Sequence, residues 1–99
     1  MTDQRIAFIT GASRGIGRAI ATRLAKDGRH VVLCSRSEAP LNDLKAEIEA
    51  NGGSACVQAC DISDSAAFAK AIEDAASEHG RLDILVNNAG ITRDNLMLR

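Results

Sequence analysis

The chain has 99 residues, 45% of them apolar and 25% charged, with a formal net charge of −1. That composition suits one small folded domain, and the near-neutral charge leaves no electrostatic footprint for nucleic acid or an acidic membrane. Two aromatic residues, Phe8 and Phe68, are too few for a base-stacking platform. The apolar runs fall far short of a membrane span, and Met1-Thr2-Asp3-Gln4-Arg5 has no secretory hydrophobic region, so a cytoplasmic protein is expected.

Taken in chain order, Ile6-Ala7-Phe8-Ile9 predicts a first strand ending at Thr10. Its near-continuous apolar character is that of a strand covered on both faces. Glycines follow at 11, 15 and 17, and then a helical stripe of Ile16, Ile20 and Leu24 with Ala19 beside it. Arg18, Arg23 and Lys26 fall on the other side of that helix, and Gly28 ends it. Val31-Val32-Leu33-Cys34 predicts the second strand. Pro40 opens a helix with the stripe Leu41, Leu44 and Ile48, closed by Gly52-Gly53. Residues 55–60 alternate more and predict a third strand. Ser63 or Asp64 caps a helix carrying Phe68, Ile72, Ala75 and Ala76, which Gly80 terminates. Ile84-Leu85-Val86 predicts the fourth strand and an uncharged edge. This β-α-β-α-β-α-β order predicts an α/β fold, the N-terminal portion of a doubly wound parallel sheet of Rossmann type. By analogy with such folds the strand order is 3-2-1-4, with a crevice where strands one and four lie side by side.

The chemistry concentrates in the segment Thr10-Gly11-Ala12-Ser13-Arg14-Gly15-Ile16-Gly17, between an apolar strand and an amphipathic helix. Its G-x-x-x-G-x-G spacing differs from G-x-G-x-x-G, and no Lys-Ser/Thr pair follows Gly15 to make a P-loop. The physics is shared: glycine permits the tight turn, lets a pyrophosphate approach the backbone and allows close helix packing. The helix N-terminus then offers unpaired N–H groups and partial positive charge. At the end of strand two, where an acid would bind a ribose 2′-hydroxyl, the sequence has Ser35-Arg36-Ser37. Arg36 and Arg14 provide planar cationic donors for a 2′-phosphate, so the cofactor expected is NADP(H).

Other reactive side chains carry no such pattern. Cys34, Cys56 and Cys60 are odd in number and include no C-x-x-C pair, which argues against disulfides and zinc. Cys56 and Cys60 on one strand would be roughly 13 Å apart, too far to bridge. All three are expected to be small buried strand residues. His30 and His79 are expected to stand alone at the surface or at element ends, and no metal site is expected.

The glycine turn resembles the cofactor motif of the short-chain dehydrogenase/reductase family, and Asn87-Asn88-Ala89-Gly90 resembles that family's second motif. Asp61-Ile62 resembles the pair lying along the adenine ring, and the likeness extends over essentially the whole chain. Ile91-Thr92-Arg93-Asp94-Asn95-Leu96 is most similar to 3-oxoacyl-acyl-carrier-protein reductases, with acetoacetyl-CoA reductases as near rivals. The resemblance implies that Ser13 and Arg14 contact the adenosine side of NADP and Arg36 the 2′-phosphate region. It places Ile16 against the pyrophosphate, has Asp61 accept from the adenine amino group, and sets Asn87, Ala89 and Gly90 along the ribose and nicotinamide. Asn87 and Asn88 also hold the loop between strands one and four in such folds.

The family's Tyr-x-x-x-Lys pair, Ser and Asn lie downstream of the second motif, and this chain contains no tyrosine. No catalytic residue is therefore assigned. Residues 1–99 are expected to be the N-terminal, cofactor-binding part of a longer reductase, inactive alone, with Leu98-Arg99 at the start of a helix. The parent would be a homo-oligomer reducing 3-oxoacyl thioesters on acyl carrier protein or CoA in fatty acid synthesis. A non-catalytic NADP(H)-binding module is the competing expectation.

Overall fold

Strands whose side chains are apolar on both faces need cover on both sides, and the chain meets this by distributing its helices across one sheet. The computed structural model describes residues 4–13, 15–87 and 97–98. In chain order the elements are β1 (Ile6–Thr10), α1 (Gly15–Lys26), β2 (His30–Ser35), α2 (Glu38–Ala50), β3 (Ser54–Ala59), α3 (Ser65–His79), β4 (Ile84–Asn87) and β5 (Met97–Leu98). The sheet order is β3-β2-β1-β4-β5. The first four strands are parallel, so the expected 3-2-1-4 order is what the chain adopts.

One part differs. Instead of a helix beginning at residue 98, Met97–Leu98 forms an antiparallel ladder, with Leu98 opposite Val86 and Met97 opposite Asn87. The expected open edge is thus covered at the end of β4. The unpaired N–H and C=O groups of an uncharged strand are a template that a short extended segment satisfies.

Register fixes the two faces. Ala7, Ile9, Val31, Leu33 and Ala55 point to one side, where Ala21 and Ala25 of α1 and Leu41, Leu44 and Ile48 of α2 cover them. Ile6, Phe8, Val32 and Cys34 point to the other, under Ala71 and Ala75 of α3. There the Phe8 and Phe68 rings meet tilted by 58° with centroids 6.3 Å apart, a favoured aromatic geometry.

The α2 stripe is the one the sequence predicts, but α1 is rotated from its expected orientation. Gly17, Ala21 and Ala25 face the sheet, Ile20 and Leu24 flank them, and Ile16 is 64% exposed. Small side chains let α1 approach the strands closely, and the larger ones fill the grooves beside it. In α3, similarly, Ala71 and Ala75 are buried while Phe68 and Ile72 pack at the flank. Asp64, rather than Ser63, caps α3 by accepting from the Ala67 N–H at 3.2 Å. Gly80 ends it in the left-handed conformation, φ 77°.

Candidate nucleotide-binding site

The turn after β1 is built from backbone. Gly11 has φ 62° and Gly15 φ 63°, conformations that cost a residue with a Cβ about 1–2 kcal/mol. A Cβ at Gly15 would meet nothing within 4 Å. Glycine is therefore required there by conformation, and the space above it is open to a ligand. Between the two glycines the Ala12 N–H donates to the Cys34 carbonyl at 3.2 Å, tying the turn to the end of β2. The buried Thr10 hydroxyl donates to the Val86 carbonyl at 3.3 Å, tying β1 to β4. These two ties anchor Thr10 and Ala12 over the strand ends.

Beyond the turn, α1 begins at Gly15 with no acidic residue in its first turn. Its leading N–H groups lack intrahelical acceptors, and the helix dipole gives this end partial positive charge. Gly17 is buried against the sheet, Ser13 is half-buried in the turn, and Ile16 stands exposed at the helix mouth.

The neighbouring strands add polar groups. The Ser35 hydroxyl donates to the Ser37 carbonyl at 3.1 Å and accepts from the Ser37 N–H at 3.2 Å, folding the chain back after β2. Arg36 is exposed and makes no hydrogen bond or ion pair with any described residue. The Cys60 N–H donates to the Ser35 carbonyl at 2.9 Å, which carries the β2–β3 pairing past the end of β3. Asp61 follows, and its Oδ1 accepts from the Ser63 hydroxyl at 2.7 Å and from the Ser63 N–H at 3.0 Å. Those two bonds, with a smaller contribution from the Arg36 charge, hold the Asp61 carboxyl below its usual range. It is thereby kept ionised, a pure acceptor. Ile62 is half-buried beside it and packs into the α3 face.

The structure thus brings Gly11, Ser13, Gly15, Ile16, Gly17, Ser35, Arg36, Asp61 and Ile62 to the C-terminal ends of β1, β2 and β3. Asn87 ends β4 in the same layer. Arg14, Asn88, Ala89 and Gly90 lie outside the described residues. Sequence reasoning missed the carbonyl of Cys34, the Thr10 hydroxyl and the role of Ser63. Only Ser63 had a local signal, the Asp-x-Ser spacing of an Asx turn.

Residues 5–99 match the family model described as short chain dehydrogenase. The chain belongs to that family. It is 42% identical over 98 residues to the short-chain reductase NovJ of Streptomyces niveus, covering 99% of this chain and 37% of that protein. It is 44% identical over 97 residues to the 3-oxoacyl-acyl-carrier-protein reductase of Salmonella typhimurium, covering 98% and 38% respectively. Among solved structures, a metagenomic short-chain oxidoreductase in complex with NADP superposes with a TM-score of 0.84 at 48% identity, over 88% of this chain and 39% of that one. The chain therefore spans less than two fifths of the length of these relatives.

The structure corrects two sequence expectations, the first of them at the other end of the sheet. His30 and His79 do not stand apart: their ring centroids are 4.5 Å from each other, and the Cys56 sulfur lies 3.7 Å from His79 Nε2. Residues 49 positions apart in the chain meet because α3 returns antiparallel to the strands and ends over the start of β2. The cysteines differ as well. Cys34 is buried, whereas Cys56 and Cys60 are only partly so. Burial, with the adjoining Cys60, pushes the Cys34 thiol up to about 12. Among the described residues no helix is long and apolar enough to cross a membrane.

Proposed function

We propose that this chain is the NADP(H)-binding region of an NADPH-dependent reductase of 3-oxoacyl thioesters. The observation that carries the reading is the glycine turn opening the N-terminus of α1 beside Arg36 and Asp61 on the two adjoining strand ends. The pyrophosphate would lie on the Gly11–Gly17 backbone, where Gly15 leaves open space. Ile16 would be covered by it, which gives an exposed apolar side chain a partner. Arg36, with Arg14, would take the 2′-phosphate, and Asp61 would accept from the adenine amino group over Ile62. Asn87, Ala89 and Gly90 would line the ribose and nicotinamide side.

When bound, NADPH supplies a hydride for the carbonyl carbon of the substrate. The chain's own residues bind and orient the nucleotide. No tyrosine occurs among the 99 residues, so the proton-donating half of the family's chemistry is assigned to no residue here. The relative from Salmonella typhimurium supports a 3-oxoacyl thioester as substrate of the parent protein, with acetoacetyl-CoA reductases as the nearest alternative. A cytoplasmic homo-oligomer acting in fatty acid synthesis accords with that reading.

A second reading is an NADP(H)-binding module without turnover, which the same backbone turn would serve. Titration of the chain with NADPH and with NADH tests the binding claim common to both: saturable binding with preference for NADPH is expected. Equal affinity for the two, or none, would overturn it. No NADPH oxidation above a protein-free control is expected from the chain with acetoacetyl-CoA.

A further inference from the structure

The end of the sheet away from the glycine turn holds a second convergence of reactive groups. His30 is the first residue of β2, Cys56 the third of β3 and His79 the last of α3. Strand periodicity puts His30 on the face of Val32 and Cys34, the face on which Cys56 packs under α3. One donor atom from each of the three side chains lies within 4.8 Å of the others. In a tetrahedral zinc site with bonds of about 2.0–2.3 Å, donors sit about 3.3–3.6 Å apart. The Cys56–His79 separation of 3.7 Å is already close to that.

The orientation of His30 makes the case more specific. Its Nδ1 is hydrogen-bonded to the Ser54 hydroxyl, while Nε2 is buried and has no hydrogen-bond partner. Ligating histidines have this arrangement: one ring nitrogen is held by an outer partner, which leaves the other to bind the ion. An orphaned buried nitrogen is otherwise costly. His79 adds a favourable field, because it sits in the last turn of α3 where the carbonyl end of the helix attracts a cation. Each of the three side chains is partly exposed, so an ion can enter from solvent and water can complete its shell.

We propose that His30, Cys56 and His79 form a binding site for zinc or a similar borderline-soft divalent ion, separate from the nucleotide site. Two imidazoles and a thiolate are the donor set such ions select over calcium or magnesium. On binding, the Cys56 thiol would release its proton to solvent and the sulfur would bond the metal as thiolate.

Cobalt(II) provides the test, since it takes zinc geometry and reports on its ligands. The reduced 99-residue chain, titrated with cobalt, is expected to bind one equivalent with a thiolate-to-metal charge-transfer absorption, and zinc should displace it. Cys56→Ser is expected to abolish that absorption, and His79→Gln to weaken binding by more than about tenfold. Cys34→Ser and Cys60→Ser should leave both unchanged, with far-UV circular dichroism establishing that each variant is folded. Should Cys56→Ser not fold, zinc-dependent shifts of the His30 and His79 ring protons in the unsubstituted chain decide the matter. A folded chain without the charge-transfer band or ring-proton shifts overturns the proposal, as does a band that survives in folded Cys56→Ser.

Discussion

The two ends of the sheet are made differently. At the C-terminal ends of the strands the candidate nucleotide site is chiefly backbone: two left-handed glycines, the first turn of α1 and a loop tied by Ala12 to Cys34. At the N-terminal ends the chemistry is carried by side chains, with His30, Cys56 and His79 drawn together from three elements. A backbone site depends on consecutive residues and survives substitution of most side chains around it. A side-chain site depends on the packing of distant elements, so its residues form no pattern along the chain.

Independent perturbation of the two ends is the way to break that contrast. The largest effect is expected from Arg36→Glu, which removes the planar cation proposed for the 2′-phosphate and puts a like charge in its place. Charge-assisted bonds are worth about 1.5–3 kcal/mol, so NADPH affinity should fall roughly 10- to 100-fold. NADH affinity and zinc binding should hardly move, as read by fluorescence and cobalt displacement. A parallel loss for NADH would mean that Arg36 supports the fold and not the phosphate.

Gly15→Val comes next. At φ 63° with no neighbour within 4 Å, the substitution costs about 1–2 kcal/mol of backbone strain without a packing clash. A lowered Tm and weaker binding of both nucleotides are expected, with the lower end intact. Unchanged Tm and unchanged affinity would show that the left-handed turn is not needed.

Ser54→Ala is the matching change at the lower end. It removes the hydroxyl that holds His30 Nδ1, and an outer partner of this kind is worth about tenfold in metal affinity. Zinc competition should register that loss, and nucleotide affinity should not change.

The smallest effect is a pH dependence. Hydrogen bonds from Arg81 and from the Ile6 N–H hold the Asp83 carboxyl below its usual range. A depressed carboxyl contributes stability that is fully present above its unfolded value of about 3.9, and that stability is lost as pH falls through the folded value. Tm should therefore drop at acid pH, and the drop should be shallower in Asp83→Asn. An equally steep acid limb in the variant would assign the loss to other carboxylates.

Much of the upper end was legible because its causes are local. Gly11, Gly15 and Gly17 stand at the junction of an apolar strand and a helix, and Arg36 and Asp61 each follow a strand end directly. The helix orientations were less legible. Ile16, Ile20 and Leu24 form a regular stripe, yet α1 turns Gly17, Ala21 and Ala25 inward instead, since a close approach to the sheet favours small side chains over greasy ones. The sequence predicts a helix start at Leu98-Arg99, whereas Met97–Leu98 pairs with the end of β4, because a short segment has no periodicity of its own and takes the structure its neighbour's free edge offers.

The sequence by itself determined the alternation of strands and helices, the strand ends and the glycine turn, since apolar runs and φ > 0 positions are properties of consecutive residues. Only the tertiary structure decided which helix faces are buried and that His30, Cys56 and His79 meet. Those outcomes follow from parallel crossovers, which bring residues far apart in the chain to within a few ångströms at one end of the sheet.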